Sequence, residues 1–317
     1  MALNGIDQVT FGVADIAEAK RFLDDWGVTP VSANADRLHY QTRDGSDVIV
    51  RKADEPSLPA GLEPGNTLRE LIWGAESQTE LDKTLAALRT KAKVETGADS
   101  IPRVVDPNGL TIGFRVSKRK AFKAEATQVN APGAPRRIDL RSPIHERAHP
   151  IGIGHIVVFA NDIEALRAFY IDGLGFSLSD EYPGHGYFLR CQVEGEHHNL
   201  FMLNRPGKPG INHVAFTLAD IHEVIGGGIA MSKQGWKTEI GPGRHPISSA
   251  YFWYFENPLC APLEYYADED HCTADWKPGK HERKPENFAE WAIAGGIDGK
   301  TRRQVVAQDN SGRGHAS

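Results

Sequence analysis

Several things are scarce in this sequence, and each scarcity excludes something. Cysteine is rare: Cys191, Cys260 and Cys272 are widely spaced and odd in number, and no two form a CxxC pair. No disulfide framework follows from such a set, and a reducing, cytoplasmic setting is expected. No apolar run approaches the ~20 residues that span a bilayer. The opening Met1-Ala2-Leu3-Asn4-Gly5 lacks the basic start and apolar core of a secretory signal. A net charge of −6 leaves no basic patch for a nucleic acid. A small molecule is the expected partner, not a polyanion or a membrane.

What is present is repetition. Gly5-Ile6-Asp7-Gln8-Val9-Thr10-Phe11 returns as Gly152-Ile153-Gly154-His155-Ile156-Val157-Val158, and Phe22 returns as Phe169, at a constant offset of 147. Near the end of each half, the segment from Asp106-Pro107-Asn108-Gly109 to Gly113 matches the segment from Asn257-Pro258 to Glu264 at an offset of 151. Asp-Pro-Asn-Gly reads as a hairpin turn. Asp15, Asp162 and Asp220 each stand before an Ile that opens a helical stretch, where a carboxylate caps free backbone N–H groups. Glu76–Leu88 supplies a fourth helix without that signature. The order is strand, helix, several strands, four times over.

These signals divide the chain into an N-terminal unit at 1–117, a Pro-rich linker at 118–150, a C-terminal unit at 151–270 and a tail at 271–317. Residues 287–293 suit a short helix, Asp268–Trp276 are placed to fold over the mouth of a site, and the last ~10 residues are expected to be disordered.

Strand periodicity selects the chemistry. His155 shares a face with Val157 and Phe159, His213 with Ala215 and Thr217, and Glu264 with Pro262 and Tyr266. An isolated carboxylate inside an apolar strand is costly unless it is paired or bound to metal. Either histidine alone reads most simply as a satisfied core residue; two of them with a carboxylate on separate strands suit a metal. Two His and one carboxylate fit non-haem Fe(II) or Mn(II), and on ligand type alone zinc as well. The first half has Gln8 where the second has His155, Gly113 where it has Glu264, and Glu70 as the expected counterpart of His213.

His155, His198, His213, Gly243-Arg244-His245, Tyr254 and Glu264, in this order and spacing within a four-module duplication, resemble the type I extradiol ring-cleavage dioxygenases of the vicinal oxygen chelate superfamily. The resemblance spans about residues 5–270 and is most specific in the second half. It implies an α+β fold of two tandem domains, each a pair of βαβββ modules forming a half-open barrel. It implies Fe(II), less often Mn(II), on His155, His213 and Glu264. His198 would be the acid–base residue beside the O₂ position, and His245 and Tyr254 would hydrogen-bond the oxygens of a catechol-type substrate. Assembly as a homo-oligomer is also implied.

His185, between two glycines, is expected to reach the substrate pocket from a loop. Val157, Pro246 and Leu259-Cys260-Ala261 depart from the family pattern and leave the identity of the catechol open. A glyoxalase-like isomerase or transferase of the same superfamily is the nearest alternative, and a non-catalytic ligand-binding protein is the other.

Overall fold

The structure, a computed structural model, describes residues 3–297. The N-terminal half runs β1 (Leu3–Val13), α1 (Ile16–Trp26), β2 (Thr29–Ala33), β3 (Arg37–Gln41), β4 (Asp47–Lys52), β5 (Thr67–Ala75), α2 (Gln78–Arg89), β6 (Glu95–Thr96), β7 (Pro102–Val105) and β8 (Thr111–Val116). The C-terminal half runs β9 (Gly152–Ala160), α3 (Ile163–Ala168), β10 (Ser177–Tyr182), β11 (Gly186–Arg190), β12 (Gly195–Glu196), β13 (Leu200–Asn204), β14 (Gly210–Thr217), α4 (Ile221–Lys233), β15 (Thr238–Arg244), β16 (Tyr251–Phe255) and β17 (Leu263–Ala267). The tail adds β18 (His271–Cys272), β19 (Gly279–Lys280), α5 (Pro285–Phe288) and β20 (Trp291–Ala294).

Local chemistry sets the element ends. Asp15, Asp162 and Asp220 accept hydrogen bonds from first-turn amides, and Ser77 does the same for α2. Helix α1 stops at Gly27, whose φ of 90° suits a residue without a Cβ. Between β7 and β8, Asp106 Oδ1 accepts from the amides of Asn108 and Leu110, both at 2.9 Å, and Gly109 takes a φ of 97°.

Each half builds one mixed sheet. The first has the order β2-β3-β4-β1-β5-β8-β7-β6, and the second β19-β10-β11-β13-β9-β14-β17-β16-β15-β20. Strands β1-β5-β8 and β9-β14-β17 are equivalent central triplets, antiparallel then parallel. The sheets are α+β in class, with few helices.

The halves share an apolar core. Trp26, on α1, stacks on Tyr265 at 3.7 Å between centroids, and the Tyr265 hydroxyl donates to the Trp26 carbonyl at 2.7 Å. In the reverse direction, Trp73 on β5 meets Tyr170 and Phe176. Each half thus receives a helical segment of the other against its sheet. Residues 118–150 form no regular element beyond an isolated bridge between Ala131 and Ala134.

The tail departs from expectation. Residues 287–293 are not a helix: one turn at Pro285–Phe288 precedes a strand, Trp291–Ala294, which pairs with β15. Its β-favouring side chains find an open sheet edge. At the opposite edge β19 pairs with β10, so the tail links both edges of the C-terminal sheet. The segment expected over the mouth, Asp268–Trp276, instead packs sideways: β18 pairs with β12, and Trp276 Nε1 donates to the Ser179 carbonyl at 2.8 Å. The last ~10 residues, expected to be disordered, lie outside the described residues.

Candidate metal centre and its surroundings

Three adjacent strands supply the central cluster. Ala215 on β14 pairs with His155 of β9 on one side and with Glu264 of β17 on the other. His213 lies two residues earlier on β14, on the same face. All four residues are buried, and Ala215 is small enough for the flanking side chains to converge above it. His155 Nε2 is 3.2 Å from His213 Nε2 and 3.0 Å from Glu264 Oε2, and His213 Nε2 is 3.1 Å from Glu264 Oε2.

Three donor atoms so close could hold a shared cation. The His213 Nδ1 sits 2.7 Å from Asn212 Oδ1, so that nitrogen carries the hydrogen and Nε2 presents a lone pair. The carboxylate offers lone pairs only. One His155 proton cannot serve both neighbours, and Glu264 Oε1 accepts no hydrogen bond at all. Donors held ~2.1 Å from an ion stand ~3.0 Å apart at octahedral angles and ~3.4 Å apart at tetrahedral ones. The spacings here match the octahedral face. Burial opposes charge on Glu264, but the surrounding imidazoles of His155, His213 and His245 outweigh it and hold the carboxyl well below its ordinary range. Burial likewise pushes His155 down, toward the neutral imidazole that can act as a ligand. The donor set therefore fits a divalent ion.

The cluster opens into a cavity of about 490 Å³. His198, His245 and Tyr254 line it with the three central residues. The His198 ring lies 4.1 Å from that of His155, and burial, then His155 and His197, push its pKa well below the usual value. The Tyr254 hydroxyl is 3.2 Å from His245 Nε2; burial and the Glu264 charge raise it far above its normal range, so it remains a neutral donor. His245 Nδ1 donates to the Phe288 carbonyl at 2.6 Å, which leaves Nε2 as an acceptor facing the cavity.

His185 does not join this group. It is exposed in the turn between β10 and β11 and does not border the cavity. Its flanking glycines mark the tip of a hairpin, and Tyr182 and Phe188, on the strands themselves, face the cavity instead. Sequence reasoning also missed the tail, whose Arg283, Lys284, Asn287 and Phe288 form part of the cavity wall.

The equivalent place in the first half is closed. Glu70 pairs with Thr10 as His213 pairs with Val157, and Gly113 occupies the register position of Glu264. Arg103 faces Gly113 across its hairpin as Tyr254 faces Glu264. Its Nε donates to Glu70 Oε1 at 2.5 Å, and its remaining nitrogens hold Asp99. A guanidinium thus neutralises the carboxylate that a metal would otherwise have to balance.

Comparison with known proteins places this architecture in a class. Residues 152–271 match the Glyoxalase/Bleomycin resistance protein/Dioxygenase superfamily. The chain is 28% identical over 289 residues to Metapyrocatechase 2 of Cupriavidus necator, covering 88% of this chain and 86% of the relative. Its fold matches the Mn(II)-bound glyoxalase of Novosphingobium aromaticivorans with a TM-score of 0.74 at 24% identity, covering 93% of both chains. It also matches an extradiol ring-cleaving dioxygenase from B. fuscum with a TM-score of 0.71 at 18% identity, covering 92% of this chain and 79% of the other. The resemblance to extradiol dioxygenases drawn from the sequence is upheld. No helix among the described residues is long and apolar enough to cross a membrane.

Proposed function

We propose that the protein cleaves a catechol-type aromatic diol or triol beside its hydroxylated carbons with O₂, using Fe(II), less readily Mn(II), held by His155, His213 and Glu264. The observation that carries this reading is the triangle of donors at 3.0–3.2 Å, open on one side to a cavity that also presents His198, His245 and Tyr254. When bound, the metal supplies a common site at which an adjacent pair of substrate oxygens and O₂ meet.

The protein's own groups do the rest. Phe188 and Phe201, stacked 3.8 Å apart, give the cavity a flat apolar wall suited to an aromatic ring. Tyr254 donates a hydrogen bond to a substrate oxygen. His245 Nε2 accepts from a substrate hydroxyl, since Nδ1 is committed to the Phe288 carbonyl. His198, neutral and buried, holds and releases a proton at Nε2 as the ring opens.

A glyoxalase-type isomerisation is the second reading, favoured by the named glyoxalase among the structural matches. A metal set shared between the two halves finds no support, because Arg103 fills the first-half position. The test is anaerobic loading with Fe(II) or Mn(II), then O₂ uptake with catechols of graded size. One O₂ consumed per catechol, with loss of both metal and uptake in Glu264→Gln, is expected. Full metal loading with no O₂ uptake on any catechol would sink the ring-cleavage reading.

A further inference from the structure

Residues 128–144 leave the body of the molecule and return to nearly the place they left. On the way out, the Thr127 amide donates to Asp220, the N-cap of α4. On the way back, His145 and Ala148 lie so close to Gly226 and Gly227 of the same helix that a Cβ at either glycine would collide with them. At about 1.5 Å of rise per residue, Asp220 and Gly226 stand ~9 Å apart along the helix. About three extended residues would bridge that gap. The excursion is far longer than its connection requires, and loops of this length without regular structure are uncommon unless they have a task.

The arm is organised by itself. Asn130 Oδ1 accepts from the amides of Arg136 at 2.8 Å and Arg137 at 2.7 Å, and the Arg137 guanidinium donates to the Gln128 carbonyl. Ala131 pairs with Ala134 around a Pro132-Gly133 turn, where Gly133 has a φ of 76°. Pro132, Pro135 and Pro143 stiffen the chain, which lowers the entropy lost when it docks. Yet its aliphatic side chains stand in water. Ile144 at 90%, Ile138 at 72% and Leu140 at 63% are the three most exposed large apolar side chains among the described residues, and Val129 is 58% exposed. Apolar groups gathered in this way mark an interaction surface.

Charge says what covers it. The arm carries Arg136, Arg137 and Arg141 against Asp139 alone, a net charge of +2 on a chain of −6, so the rest of the chain stands at −8. None of the three arginines has a carboxylate partner among the described residues. A second copy of the chain offers the acidic surface that this basic, apolar arm lacks on its own body. A stable interface uses ~20–30 residues a side, enriched in arginine; the arm supplies more than half of one side. We propose that residues 128–144 form an assembly arm that docks on a second copy of this chain, covering Val129, Ile138, Leu140 and Ile144 and pairing the arginines with the other copy's carboxylates. In a twofold assembly each copy gives one arm and receives one.

Light scattering on the eluting full-length chain tests this, with the natural protein beside Ile138→Asp combined with Leu140→Asp. The arm lines neither cavity and both side chains are exposed, so the double variant should fold, with an unaltered circular dichroism spectrum. The natural chain is expected at about twice the single-chain mass or more, and the double variant at the single-chain mass. Trypsin should cut after Arg136, Arg137 and Arg141 in the variant and spare them in the natural assembly. An assembly of unchanged size in the double variant overturns the proposal. So does a natural protein of single-chain mass: with the arm cut it is simply free, and with the arm spared it folds back on its own body. Should the double variant misfold, a chain with residues 130–142 replaced by Gly-Ser-Gly decides by the same masses.

Discussion

At the scale of single residues, burial decides what each ionisable group does. Glu264 is buried yet held charged by three imidazoles, while Asp106, with a single hydroxyl and backbone amides as partners, is pushed up to about 6 by burial. Asp106 therefore makes a measurable prediction. An acid with a raised folded pKa holds more protons folded than unfolded between 3.8 and about 6, so stability falls as pH rises through that window and then levels. The loss is at most ~3 kcal/mol. Asp106→Asn keeps the oxygen that caps Asn108 and Leu110, and should flatten this decline and raise stability at neutral pH. Urea unfolding across the window checks it, and an unaltered slope in Asp106→Asn would count against the burial argument. The central triad was legible because each polar residue interrupts an apolar strand. Arg103 was legible in principle, since it stands 151 residues before Tyr254, the same offset that relates Gly113 to Glu264. It was missed because an arginine in place of a tyrosine suggests no shared role until the hairpin register is known.

At the scale of elements, the tail matters most. It holds the two edges of the C-terminal sheet, and between them it meets the site: the Phe288 carbonyl receives His245 Nδ1–H, and the Asn287 carbonyl receives the Tyr182 hydroxyl at 3.1 Å. A chain shortened to residues 1–280 should still fold and bind metal, because no ligand is lost. It should show KM raised ~10-fold or more, the scale of one lost hydrogen bond to a group at the site, with His245 free to change tautomer. Substrate kinetics and metal analysis on the shortened chain decide this; unchanged KM would mean that the tail only covers sheet edges. Nothing in the tail's composition announced this role. Its strands are two to four residues long, too short for a periodic signal, and they exist only because β10 and β15 leave open edges. The helices were more legible, since an Asp before an apolar run acts within a few residues of itself.

At the scale of the whole molecule, the two halves share one apolar core despite their repeat. Trp26 belongs to the first half but packs against Tyr265, Phe216 and Phe255 of the second. Trp26→Ala should cost ~3–5 kcal/mol and lower a single calorimetric transition for the entire chain. Two separate transitions, with only one shifted, would show that the halves unfold independently.

The sequence by itself determined the duplication, the capped helices, the alternating strands and the three residue types that a metal requires. Those features depend on contacts within a strand or a turn, where chain neighbours set the geometry. Only the tertiary structure decided that Ala215 would lie between His155 and Glu264, that Arg103 would neutralise Glu70, and that the tail would complete the cavity wall. Each of these depends on the pairing of segments far apart in the chain, and pairing is settled by the packing of whole sheets, not by local pattern.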